Sequence, residues 1–285
     1  MAVIGAGRVG TALAVLLERA GHRIVAASGG KASAERVHRY LPGTLFLPAS
    51  EAAREARVAL IGVPDDAIAT VCDELVGARA LSAAQTVIHL SGSVGLGPLV
   101  AAEEAGAQVL SFHPLQSFPD VDTGIARMPG SGVALTAKIE GAFDVGERLA
   151  RDVGGVPFHL AEEVKTLYHS AAVFASNYLV VVEGMAERIM KDAGIGQPLP
   201  LLEALARTAF DRAFSMGPGA ALTGPVVRAD TGTIRRNLQA LEERAPDLVP
   251  VYVELARAAL RMAVEAGRVF APAADRVTEE LARWR

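Results

Sequence analysis

A single cysteine, Cys72, excludes an internal disulfide and any metal cluster built on several thiolates, and it suits a reducing compartment. No basic tail or stripe is present and the formal net charge is −4, which argues against nucleic acid as a main partner. The longest apolar stretch, Ala171–Val182, is interrupted by Ser176 and Asn177 and is too short and too polar for a membrane span. A strand-like run opens the sequence, so no signal peptide is expected and a cytoplasmic setting is. Repeats, low-complexity segments and linkers are missing as well. Lysine is scarce: only Lys31, Lys138, Lys165 and Lys191 stand among 28 basic side chains, so a lysine is marked out for its ammonium. What is abundant is apolar: 51% of 285 residues, enough for one large core or two ordinary ones.

The richest stretch is Ala2 to Gly10, AVIGAGRVG. A short apolar run ends in Gly5-Ala6-Gly7-Arg8-Val9-Gly10, and a helical pattern follows through Leu13, Leu16 and Leu17. Strand, G-x-G-x-x-G and helix in that order are the context of a dinucleotide site. Gly5 makes the tight turn, Gly7 admits a pyrophosphate, and Gly10 lets the helix pack close. Arg8 and Val9 open the helix, whose free N–H groups and dipole face the phosphates. The second strand, His22–Ala27, ends at Ser28-Gly29-Gly30-Lys31. An NAD site would place an acid near here for the ribose hydroxyl, and none is present. Ser28, Lys31, Ser33 and Arg36 stand there instead, a hydroxyl-and-cation set that suits a 2′-phosphate. NADP is therefore expected over NAD.

Further strands are expected at Leu45–Leu47, Arg57–Val63, Gln85–Leu90, Val109–Phe112, Gly132–Thr136 and Val156–Leu160, with helices between them, including Ala67–Val76 and Gly141–Val153. Alternation of this kind predicts an α/β, doubly wound, mostly parallel Rossmann-like sheet. Ligands should gather beyond the strands' carboxyl ends, in the loops at Gly5, Ser28, Pro64-Asp65, Ser91 and His113. From Glu162 onward strand signals stop. Glu162–Ala193 reads as one helix of about 48 Å at 1.5 Å per residue. Its middle, AAVFASNYLVVV, is apolar on nearly all sides and is expected to be buried. Helices over Leu199–Phe214, Thr231–Arg244, Leu248–Ala266 and Ala273–Trp284 complete an all-α part. The expected division is 1–160, an NADP-binding domain, and 161–285, a helical domain for substrate and dimerisation. A long helix apolar all round needs packing on every side, which points to a homodimer.

Lys165 starts the long helix. At about 100° per residue, His169 lies about 40° from it and Ser176 about 20°, so the three share a face; Asn177 lies about 120° away. A lysine and a histidine on one face can bind a carboxylate and hand a proton to a reducing carbonyl. His113, in SFHPLQSF, ends a strand and is placed as proton donor or substrate ligand. Ser91 and Ser93, one strand over, are candidates to bond the nicotinamide amide or the substrate. Gly and Ser are adjacent in SGSVG, so the spacing of a nucleophile elbow is absent. His, Asp and Glu show no metal-ligand spacing; His22, His38 and His159 are isolated. In Leu222–Asp230, LTGPVVRAD, Thr223-Gly224-Pro225 reads as a tight turn, and Arg228 as a clamp for an anionic substrate.

GAGRVG, VPDDAI, HPLQSF, KTLYHSAAVFASNY and LTGPVVRADTGT together resemble the bacterial Rossmann-like presumed NADP oxidoreductases with a helical C-terminal domain of unknown function. The resemblance spans essentially the whole chain. The wider superfamily includes 6-phosphogluconate, 3-hydroxyisobutyrate and prephenate dehydrogenases, ketopantoate reductase and pyrroline-5-carboxylate reductase. It implies hydride transfer to or from a small acid. Lys165 matches the lysine of a Lys-x-x-x-Asn motif in hydroxyacid dehydrogenases, with His169 where that motif has Asn. Gly92-Ser93-Val94 and His113-Pro114 resemble the segments of prephenate dehydrogenases that contact the reacting oxygen. The expected activity is NADP-dependent reduction of a small keto acid, ketopantoate-like in size. Lys165 or His113 would supply the proton, and Arg228 or His169, with Thr223, Ser176 and Asn177, would line the substrate side. The alternatives are imine reduction of the pyrroline-carboxylate kind and a non-catalytic NADP-binding regulator.

Overall fold

Strand β1 (Ala2–Ile4) is the third strand across an eight-stranded sheet, and all three of its residues are buried, as a strand covered on both faces requires. The computed structural model describes residues 1–284. The other strands are β2 (Ala26–Ala27), β3 (Leu45–Phe46), β4 (Val58–Ile61), β5 (Thr86–His89), β6 (Gln108–Pro114), β7 (Gly132–Ala137) and β8 (Val156–His159). Their spatial order is β3-β2-β1-β4-β5-β6-β7-β8. All neighbours run parallel except β6 and β7, as expected of a mostly parallel sheet. Chain order reverses between β1 and β4, which puts the ligand crevice at their carboxyl ends.

Helices α1 (Arg8–Arg19), α2 (Lys31–Tyr40), α3 (Ala49–Arg54), α4 (Ile68–Gly77), α5 (Val100–Glu104), α6 (Val121–Arg127) and α7 (Glu140–Asp152) follow the strands in turn. Side chains alternate across a strand, so the sheet feeds two cores. Val3, Leu60, Ile88 and Leu110 join one with Leu13 and Leu17 of α1; Ile4, Ile61, Val87 and Val109 join the other with Ile68 and Leu75 of α4. Each such side chain contributes about 1.5–3 kcal/mol by leaving water. Strand β8 carries Pro157, which an edge position tolerates.

Helix α8 (Lys165–Val173) opens the segment read as one long helix. The segment is interrupted: Phe174–Tyr178 forms a π-helical turn, and α9 (Leu179–Asp192) follows. The first compact unit, Met1–Asn177, ends inside that turn, past the division near residue 160 that the end of the strand signals suggests. The expected burial of the long helix does not occur within this chain. Phe174 is 70% exposed and Val180 71%, and α9 has no buried residue. Periodicity reports that a helix is apolar all round, but not which molecule covers it.

The second unit, Tyr178–Arg285, holds α9, α10 (Pro198–Met216), α11 (Pro218–Ala221), α12 (Thr231–Arg244), α13 (Val249–Glu265) and α14 (Ala271–Leu281). Ile234, Leu238 and Leu241 of α12 meet Val249, Val253, Ala256 and Leu260 of α13 and Val277 and Leu281 of α14. Spacings of three and four put each set on one helical face. Among the described residues, no helix is long and apolar enough to cross a membrane.

Candidate functional site

The glycine-rich turn is built as its sequence requires. Gly5 has φ +76°, and a Cβ there would lie 2.4 Å from Val63 Cγ1. Gly7 is the N-cap of α1 and provides no side-chain cap, which leaves the first-turn N–H groups of Arg8 and Val9 for an anion. A Cβ on Gly10 would come 3.1 Å from Val3 Cγ1, so helix and strand approach closely. This cradle fits a dinucleotide pyrophosphate.

Ser28 is buried, and its Oγ lies 3.4 Å from the Gly5 amide, which donates to it. Arg36 donates to the Ala6 carbonyl, bracing the glycine turn, and Arg8 donates to the Pro119 carbonyl at 2.8 Å. Lys31 is the first residue of α2 and is exposed. Ser33 packs over Gly29, where a Cβ would meet its Oγ at 2.6 Å. Of the expected phosphate-binding set, Ser28 and Arg36 therefore shape the loop, and Lys31 is the cation at its rim.

Beyond β4, Pro64 leads into a short 3₁₀ turn that begins with Asp65. The Asp65 carboxylate accepts from Ser91 Oγ at 2.7 Å and from Ser93 Oγ at 2.9 Å. Both serine hydroxyl hydrogens are thus committed to Asp65, so neither is free to donate to a nicotinamide amide or substrate. Ser91 Oγ also accepts from the amides of Ser93 and Val94. His89, below this turn, takes the Ser91 N–H on Nδ1, so its Nε2–H donates to the Gly95 carbonyl at 2.9 Å. Burial drives its pKa down to about 4.

His113 bridges this turn and α8. A Cβ on Gly92 would lie 2.6 Å from His113 Nε2, so only glycine allows the contact. The opposite nitrogen, Nδ1, is 2.9 Å from the Tyr168 hydroxyl. Burial lowers the His113 pKa to about 4, with the Lys165 charge adding to the shift, and burial raises that of Tyr168 to about 12. At neutral pH the imidazole is neutral and the phenol protonated.

A cavity of about 510 Å³ opens beside this pair, with His113, Gln116, Tyr168, His169, Ser176 and Asn177 among its lining residues and alanine and valine side chains of α8 between them. His169 Nδ1 is buried without a partner, and its ring meets His113 edge-on at 6.2 Å. The π turn explains Asn177: a wider turn advances each residue by less than 100°, bringing Asn177 round to the side of His169. On an ideal helix it would lie away. Lys165 and Ser93 are not among the lining residues, and Thr223 and Arg228 belong to the second unit. None of the first-unit residues that line the cavity is a Lys or Arg. In the second unit Gly224 has φ +104° and Asp230 caps α12 by accepting from Thr233 N at 2.9 Å. The stretch Leu222–Asp230 thus serves as a turn and a helix start.

Lys165 is 1% exposed, the largest fully buried side chain among the described residues. Its Nζ donates to Ser111 Oγ at 2.8 Å and to the Ser91 carbonyl at 3.2 Å. Burial lowers its pKa to about 8, against the pull of Glu162 and Asp65. Tyr168 and Ser111 were not singled out in the sequence, and Gly92 only as part of the Gly92-Ser93-Val94 resemblance. Tyr168 had a signal: three residues after Lys165, it lies about 60° from it round the helix.

The Rossmann-like domain model matches residues 1–114, and the model of DUF2520, a domain of unknown function, matches residues 131–259. No curated protein matches the chain. Among solved structures, a presumed NADP oxidoreductase of Bacteroides fragilis is 22% identical with a TM-score of 0.75, over 91% of this chain and 97% of that one. An imine reductase of Myxococcus stipitatus, in complex with NADP⁺, is 20% identical with a TM-score of 0.64, over 94% of each chain. A reductive aminase of Aspergillus terreus, in complex with NADPH and ethyl levulinate, is 16% identical with a TM-score of 0.67, over 98% of each. At these identities the likeness is one of fold.

Proposed function

We propose that this chain, which joins a Rossmann-like domain to the DUF2520 domain, is an NADPH-dependent reductase of a C=N bond. The observation that carries the substrate class is the cavity beside His113 and Tyr168, which the first unit lines with hydroxyl, amide and imidazole groups and with no Lys or Arg. A keto acid would bring its carboxylate to a wall without a cation. A protonated imine brings a positive charge to hydrogen-bond acceptors, which is the favourable sign. The fold shared with an imine reductase and a reductive aminase supports the same reading.

NADPH, when bound, supplies the hydride. The unsubstituted Gly7 and the amides opening α1 would hold its pyrophosphate, and Lys31 at the start of α2 would meet the 2′-phosphate. Neutral His113, steadied by Gly92, accepts the Tyr168 O–H on Nδ1. The remaining lone pairs of the Tyr168 oxygen then accept the N–H of the iminium and fix its carbon. As hydride adds to that carbon, the C=N π pair moves onto nitrogen and its charge disappears, leaving a neutral amine. Two features favour a homodimer in a reducing, cytoplasmic setting: the exposed valines of α9, and the single buried Cys72.

The test is NADPH fluorescence followed by turnover. NADPH binding and its oxidation by a cyclic imine such as methylpyrroline, with none by pyruvate, is the expected result. Oxidation by pyruvate alone would overturn the substrate class. A bound but inert NADPH with both probes would favour the non-catalytic regulator, and no binding at all would sink the reductase reading.

A further inference from the structure

Lys165 is the one strongly perturbed cation of the first unit that the proposed chemistry leaves unused. Its ammonium is enclosed and does not line the cavity. It ends instead on two groups beneath the β5–β6 loops, Ser111 Oγ and the Ser91 carbonyl. Ser111 is itself fully buried and donates its own hydroxyl to the same carbonyl at 3.3 Å. The Ser91 carbonyl is therefore held by two donors on one side of the turn, and Asp65 holds the hydroxyls of Ser91 and Ser93 on the other. Between these anchors sits Gly92, against the Nε2 end of His113.

We infer that Lys165 is a positioning residue: its buried ammonium pins the Ser91–Ser93 turn so that Gly92 seats His113 against Tyr168, and it does not itself meet the substrate. The inference deepens the reductase reading by assigning the proton-bonding group to Tyr168 and its alignment to Lys165. A lysine suits the task because a desolvated ammonium gives two strong, charge-assisted bonds from one atom. Its charge acts in the same direction as its reach. The groups that face it are Asp65 after β4, Glu162 just ahead of its own helix, and the imidazoles of His89 on β5 and His113 on β6. His113 in turn feels Lys165, His169, Asp65 and His89. The two carboxylates keep Lys165 charged at neutral pH, and Lys165 helps keep a proton off His113, whose Nδ1 must stay free to accept from Tyr168.

The test reads His113 directly. The sequence has six histidines, so their ring resonances can be assigned by single substitution and followed against pH in the full chain. In the wild-type protein His113 is expected to titrate near 4. In Lys165→Met its midpoint is expected to rise by about one pH unit, the size of a lost neighbouring charge at a buried site. A folded Lys165→Met with an unmoved His113 midpoint overturns the inference. A second readout needs no variant: among the side-chain resonances of the four lysines, that of Lys165 is expected to titrate near 8. Titration of Lys165 at the ordinary lysine value of about 10.4 would also overturn it. Neither readout uses NADPH or turnover, so failure here is distinct from failure of the reductase reading.

Discussion

The Tyr168 hydroxyl lies 2.9 Å from Nδ1 of His113, and this pair joins the end of β6 to the first turn of α8. Replacing Tyr168 by Phe keeps the ring that packs edge-on against His113 and Phe158 and removes only the oxygen. A hydrogen bond to a charged group is worth about 1.5–3 kcal/mol. Turnover of the cyclic imine is therefore expected to fall about 10- to 100-fold in Tyr168→Phe, with NADPH affinity unchanged. Steady-state rates and nucleotide fluorescence check the two halves separately.

Gly5 and Gly7 are expected to respond differently to the same substitution. At Gly5 an alanine meets both a positive φ and Val63, so Gly5→Ala is expected to lower stability by about 1–3 kcal/mol. At Gly7 the added Cβ would lie 3.5 Å from the Gly62 carbonyl, an ordinary contact. Gly7→Ala is expected to fold with nearly wild-type stability and to lose NADPH affinity at least about tenfold, because the pyrophosphate needs that space. Thermal melting alone and NADPH titration alone distinguish the two.

Acid sensitivity follows from two histidines. Burial lowers both His89 and His113 from 6.5 to about 4. Between those values the unfolded chain binds the protons that the folded chain refuses. The stability is whole above about pH 6.5 and is lost as pH falls toward 4. With nearly two protons at issue, denaturant unfolding between pH 5 and 6 is expected to lose about 2 kcal/mol per pH unit. His113→Gln should roughly halve that slope, and an unaltered slope would contradict the assignment.

The apolar faces of the second unit bear on assembly. Val180 is 71% exposed, Leu205 70% and Phe214 90%. The homodimer proposed above would cover side chains of this kind. Sedimentation is expected to give twice the chain mass of 29.7 kDa, and Val180→Glu to shift the protein toward that mass itself. A monomer in the wild type would refute the homodimer.

Local constraints along the chain specify the layered half of this protein. Short apolar runs bounded by turn residues, such as Val58–Ile61, read as strands covered on both faces, and glycines at 5, 7 and 10 mark a strand, a turn and a helix within a few residues. Those are local constraints. Thr231–Arg244 was legible to the residue for the same reason, with Asp230 to cap it. The site was legible only in its parts list. That Ser91 and Ser93 spend their hydroxyls on Asp65, that Lys165 points beneath the turn and not into the cavity, and that Tyr168 reaches His113 are outcomes of pairings between residues 26 to 74 positions apart. Ideal helical phase missed Asn177, because it cannot register a π turn. A periodicity marks the long helix as apolar and leaves its cover unnamed. Which polar group satisfies which is settled only when the strands' ends and α8 close on one another, since each buried donor and acceptor must find its partner across the fold.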